Sequence, residues 1–150
     1  MRTYYKLIPV CLLILMKDEK VLLLRRANTG HEDGNWGLPS GHMEGDESAR
    51  AATVRETQEE IGLIVDQREL ELVHILHKRG TDAGEPKESE RVCFFFALTE
   101  WSGEPINNEP DKCDALTWFP INALPENTIP YIRQVLEAYR AGILYSEEGW

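Results

Sequence analysis

Three glutamates near the middle of the chain, Glu56, Glu59 and Glu60, stand at positions i, i+3 and i+4 of the stretch RETQEE. In a helix, at about 100° per residue, their carboxylates share one face. Like charges this close repel one another and weaken the helix unless something positive sits among them. Two readings follow. Arg50 and Arg55 relieve part of the repulsion and the face is simply solvated acid, or the face holds a divalent cation. Clustered hard oxygen ligands are what Mg²⁺ or Mn²⁺ requires. The spacing alone leaves both open.

The neighbouring residues narrow the choice. Gly41, five residues, Glu47, seven residues and then Arg55-Glu56-Thr57-Gln58-Glu59-Glu60-Ile61-Gly62-Leu63 resembles the Nudix box. That pattern reads Gly, five, Glu, seven, Arg-Glu-aliphatic, any, Glu-Glu, any, Gly-aliphatic. It departs here only at Thr57, where an aliphatic residue is usual. Thr57 is expected to point away from the acids, so the departure concerns packing under the helix. The box covers residues 41–63, and Leu23-Leu24-Arg25-Arg26, Trp36-Gly37-Leu38-Pro39, Trp118-Phe119-Pro120 and Leu124-Pro125 extend the likeness over most of the chain.

The resemblance implies an α+β fold, an α/β/α sandwich with a mixed sheet between helices, formed by residues 1–150 as one domain. It implies hydrolysis of a nucleoside diphosphate linked to another moiety. Glu56, Glu59 and Glu60 become the expected metal ligands, with Mg²⁺ as cofactor and Mn²⁺ an alternative. A backbone carbonyl ahead of the helix, here at Ser40, is expected to complete the site, although the family often has Gly at that place. Arg55 is expected to pair with Glu47 and fix the loop to the helix, while Gly41 and Gly62 serve a turn and a helix end. The general base is a box glutamate or one from a later loop. Glu109, in the acidic segment 104–114, is the candidate for base or additional ligand. Arg26 is expected to contact phosphate, for which a forked guanidinium is suited, or else to be an edge-strand surface residue. His42 is placed at the mouth of the site. Trp36 and Trp118 belong to the core or to the wall of the pocket.

The overall charge fits this chemistry. The 150 residues carry 26 acids against 16 lysines and arginines, a net of −10. That excludes a general binder of nucleic-acid polymers or acidic membranes, which needs a basic face. Within residues 41–63 six acids face two arginines. A phosphorylated ligand is then met through a cation rather than by bare protein.

The elements that must position these groups are legible in outline. Strand signals fall at 6–16, 21–26, 70–78, 91–98 and 115–119, and Lys17-Asp18-Glu19-Lys20 reads as the connection of a hairpin. The apolar run 7–16 is too short to span a bilayer and runs directly into that hairpin, so it reads as a strand rather than a signal. Residues 27–46, rich in Gly, Asn and Asp, read as a long ordered loop. Ser48 caps a helix over 48–61 that Gly62 ends. Residues 79–90 form a polar connection. A second helix runs over 129–141, with Pro130 in its first turn and Ile132, Val135, Leu136 and Tyr139 as its buried stripe. The tail, 142–150, has no assignment. Cys11, Cys93 and Cys113 lack metal spacing and read as reduced core thiols of a cytoplasmic protein.

Three functions are weighed. The first is a Mg²⁺-dependent pyrophosphohydrolase converting a nucleoside triphosphate to the monophosphate and pyrophosphate, favoured by a chain with no room for an accessory domain. The second is hydrolysis of another substrate such as a nucleotide sugar or dinucleoside polyphosphate. The third is a silent nucleotide-binding module, disfavoured because the acidic core of the box is complete. A homodimer is compatible with exposed aromatics such as Trp150.

Overall fold

The computed structural model describes residues 1–80 and 89–150. Its first strand, β1 (Ile8–Lys17), turns back through Asp18 and Glu19 into β2 (Lys20–Arg26). Both turn residues have positive φ, 52° and 61°, the geometry that matches a two-residue hairpin to the twist of its strands. The short strands β3 (Trp36–Gly37) and β4 (Ser40–His42) follow, then helix α1 (Ala49–Ile61), β5 (Glu71–Lys78), β6 (Arg91–Leu98), β7 (Cys113–Pro120), α2 (Pro130–Arg140) and β8 (Tyr145–Glu148).

The strands run β3-β2-β1-β6-β5-β8, with β4 laid along β1 and β7 along β2. Pairing is parallel between β1 and β6 and between β5 and β8, and antiparallel elsewhere, so the sheet is mixed. Buried on both faces, β1 shows a continuous apolar run instead of alternation. Leu12 and Ile14 pack toward Ile132, Val135 and Leu136 of α2. Leu13 and Leu15 pack on the other side with Ile61, Leu63 and Phe96. One helix on each face gives the α/β/α sandwich expected from the resemblance.

Both helices begin and end for reasons visible in their residues. The Ser48 hydroxyl accepts from the Ala51 N–H at 3.1 Å, and Gly62, at φ 69°, closes α1 in the left-handed conformation. Thr57 is buried and returns its hydroxyl to the Thr53 carbonyl at 2.7 Å, so it lies under the helix. Pro130 starts α2, whose stripe packs as anticipated, with Tyr139 at its margin.

The region 27–46 is not one uninterrupted loop. Trp36 exchanges backbone bonds with Asn127 and Ile129, and Pro39 accepts from Leu13, which pins β3 and β4 in place. Strands of two and three residues show no period, and the Gly, Asn and Pro around them hide the signal. The tail also acquires structure. Ile75 donates to Leu144, Arg79 donates to Glu148, and the buried His74 bridges the Ile143 carbonyl and the Ser146 hydroxyl, building β8 onto the sheet edge. The strand read at 115–119 extends to Cys113–Pro120. Of the polar connection at 79–90, residues 81–88 lie outside the described residues.

Cys11, Cys93 and Cys113 are free and buried, and burial pushes the Cys93 thiol up to about 12. Among the described residues no helix is long and apolar enough to cross a membrane. The two-faced burial of β1 gives a direct expectation. Leu13→Ala should cost about 2–5 kcal/mol in urea unfolding. A loss below about 1 kcal/mol would contradict the packing of that face.

Candidate active site

The site grows from the contact between β4 and α1. Pro39 and Met43 make backbone bonds to β1, through Leu13 N and Pro9 O, and Gly41 lies opposite Cys11. This alternation turns the N–H and C=O of Ser40 away from β1, toward the helix. There the Ser40 N–H donates to Glu60 Oε2 at 2.9 Å. At Gly41 an added Cβ would fall inside the Glu56 carboxyl. A side chain at this position would have to displace the Glu56 carboxyl from where it stands.

Arg55 organises the acids around it. Its Nε and Nη2 grip Glu47 at 3.0 and 2.7 Å, its Nη1 meets Glu56 at 2.7 Å, and Nη2 also donates to the His42 carbonyl at 3.2 Å. The Glu44 N–H adds a bond of 2.7 Å to Glu47. The pairing of Arg55 with Glu47 suggested by their spacing is therefore present, and it spans loop and helix.

The three helix glutamates occupy different environments. Glu59 has a side chain 53% exposed and reaches Arg55 only at 3.4 Å. Burial raises Glu56, and its bond to Arg55 opposes that rise. Glu60 is partly covered as a whole, but burial of its carboxyl pushes it up to about 8 against the opposing Ser40 N–H, with the nearby acids Glu56 and Glu109 adding to the rise. Glu109 follows Asn107 and Asn108 in the loop before β7 and sits 3.5 Å from Lys112.

One cleft of about 720 Å³ gathers Arg26, Ser40, Gly41, His42, Glu56, Glu59, Glu60 and Glu109. Arg55, Glu47 and Gly62 stand behind it as supports. Among the described residues no three Asp, Glu, His or Cys side chains form a ready-made metal cage. Glu56 is tied to Arg55, Glu60 to Ser40 and Glu109 to Lys112. Arg26 keeps its Nε on the His31 carbonyl at 2.8 Å. Trp36 is core, edge-on to Phe119, and Trp118 is partly buried and stacked on Trp101.

The cleft also includes Arg91, Tyr131, Asn28 and Lys112, which the sequence reading did not single out. Arg91 opens a strand after a polar stretch, and Tyr131 stands one residue off the apolar stripe of α2. Those polar or off-stripe positions were the available signal.

Comparison with known proteins agrees with the fold. The NUDIX domain matches residues 6–139, and the chain belongs to the Nudix family of hydrolases, enzymes that cleave nucleoside phosphoanhydride bonds. A MutT Nudix hydrolase from Burkholderia pseudomallei superposes with a TM-score of 0.77 at 29% identity, covering 89% of this chain and 98% of that one. An 8-oxo-dGTP diphosphatase of Proteus vulgaris is 33% identical over 88 residues, 59% of this chain and 71% of the relative. An ADP-ribose pyrophosphatase of Methanocaldococcus jannaschii is 42% identical over 113 residues, 75% of this chain and 62% of the relative. The family uses divalent metal.

The grip of Arg55 on Glu47 has a pH signature. Hydrogen bonds from Arg55 hold the Glu47 carboxyl at about 2 instead of 4.5. A depressed folded pKa stabilises fully above the unfolded value and is lost as pH falls toward the folded one. Glu47→Gln should therefore lower Tm at neutral pH and flatten its decline between pH 4.5 and about 2. Thermal unfolding across that range checks it; an unchanged acid limb would show the pair to be inconsequential.

Proposed function

We propose that this protein hydrolyses a nucleoside triphosphate to the monophosphate and pyrophosphate, with Mg²⁺ as its cation and Mn²⁺ as a substitute. The observation that carries the reading is the convergence of Glu56, Glu59, Glu60 and Glu109 with Arg26 on one cleft. The donor set suits such a cation: it is all carboxylate and carbonyl oxygen, without the thiolates or imidazoles that softer metals take. Burial raises Glu60, whose carboxylate meets the Ser40 N–H and, among the described residues, no cation in contact, so its charged form lacks compensation that a bound cation would supply. Glu56, Glu59 and Glu60 are the proposed ligands, and the Ser40 carbonyl completes them. When bound, the cation offsets phosphate charge and lowers the pKa of water.

The chain's own groups supply the rest. Arg55 fixes Glu56, and Ser40 fixes one oxygen of Glu60. Arg26 contacts the phosphates through the donors that His31 does not use. His42 lines the mouth of the cleft. Glu109 takes the proton of the attacking water as the bond from phosphorus to the leaving pyrophosphate breaks. The diphosphatase relative acts on a nucleoside triphosphate, which supports this choice of substrate. The ADP-ribose pyrophosphatase favours a second reading, a nucleoside diphosphate joined to a sugar. Free, buried thiols fit a reducing cytoplasm.

A panel of triphosphates, ADP-ribose and nucleotide sugars, followed for pyrophosphate and phosphate release with Mg²⁺, separates the readings. Pyrophosphate should come from at least one triphosphate; release from none would reject the first reading. Glu60→Gln should lower kcat by about 100-fold or more and weaken Mn²⁺ binding. Undiminished activity in that variant would remove Glu60 from the site.

A further inference from the structure

The geometry points to Asn108 as a positioning residue that holds Glu109 over the acidic helix, an inference that rests on the function proposed above. The loop before β7 is strapped to the C-terminal end of α1 by its backbone. Ile106 N–H donates to the Ile61 carbonyl at 2.9 Å, and Asn108 N–H donates to the Glu60 carbonyl at 3.1 Å. The Asn108 side chain adds two further bonds, from Nδ2 to Glu59 O at 3.1 Å and to Gln58 O at 3.3 Å. These carbonyls belong to the last turn, where a helix leaves acceptors open, although the Gln58 carbonyl also accepts from the Gly62 N–H at 3.0 Å.

The other end of the strap is fixed as well. Asn107 Nδ2 donates to the Cys113 carbonyl at 2.6 Å, and its Oδ1 accepts from Glu109 N–H at 3.3 Å. The Glu109 carbonyl accepts from Lys112 and Cys113, closing a turn. Ala27 N–H then donates to Lys112 O, and Asn28 donates to Asp111 O, binding the turn to the end of β2 beside Arg26.

Glu109 is therefore one residue from a bond to the backbone of Glu60. The residues whose carbonyls anchor the strap, Glu59 and Glu60, are those whose carboxylates line the cleft. The two backbone bonds, from Ile106 and Asn108, fix the register of loop and helix, and Asn108 is the last of these anchors before Glu109. The paired bonds of the Asn108 amide add a forked attachment at that residue and so restrain the chain next to Glu109. Asn108 is exposed, so it contributes little to the core, and its chemistry as a forked donor to two carbonyls is what the position uses.

A double-mutant cycle tests this, with Asn108→Ala, Glu109→Gln and the pair, on any substrate the wild type cleaves. Asn108→Ala should lower kcat by about 10- to 100-fold with KM little changed, as expected when a reacting group is misplaced. Its Mn²⁺ affinity should stay near wild type, because the helix glutamates are untouched. In the Glu109→Gln background the same change should have no further effect on kcat. Additive losses would overturn the inference, as would a fall in Mn²⁺ affinity matching the loss of kcat, since either means that Asn108 supports α1 and not Glu109. Full activity in Glu109→Gln would instead reject the role of Glu109 and the inference with it. Retention of wild-type kcat by Asn108→Ala, while Glu109→Gln is impaired, rejects the strap alone.

Discussion

The guanidinium of Arg55 is the contact on which the cleft depends. It joins three parts of the chain: Glu47 in the loop, Glu56 on the helix and the His42 carbonyl at the end of β4. A planar fork can hold a carboxylate through two parallel bonds, which fixes direction as well as distance. The loop between β4 and α1 therefore closes at one place, and Gly41 is left with its backbone against Glu56. A lysine has the same charge but no fork. It would relieve the repulsion without setting the geometry.

Arg55 also explains why acids only a turn apart behave differently. Glu56 and Glu59 both reach it, at 2.7 and 3.4 Å, whereas Glu60 turns to the Ser40 N–H. Glu60 is thus the acid with a backbone dipole as its neighbour instead of a cation in contact, and burial governs it. Glu59 stays in solvent. One helix face presents three carboxylates in three states of hydration, a gradient created by the strand lying over one side of the helix. Helical spacing alone describes the face as uniform.

Much of this could be read in the residues. The box set the helix, its Ser48 cap, its Gly62 end and the pairing of Arg55 with Glu47, because each depends on local chemistry at fixed spacing. The apolar runs located β1, β2, β5 and β6 for the same reason. What escaped depends on partners distant in sequence. β3 exists because Trp36 finds Asn127 and Ile129, and β8 exists because His74 finds Ile143 and Ser146. Neither segment has a period of its own. Glu109 was picked out by its acidic neighbourhood, but the asparagines that attach it to α1 look like ordinary loop residues until the helix end lies beside them.

The charge balance takes on a spatial meaning in the folded chain. Carboxylates from α1 and the loop before β7 occupy one part of the cleft, while Arg26, Arg91 and Lys112 also reach its walls. An acid-lined surface repels a bare polyphosphate, and the repulsion grows as water is excluded. The basic side chains offset only part of it. A divalent cation seated among those acids would supply the missing positive charge, in keeping with the divalent metal that the family uses.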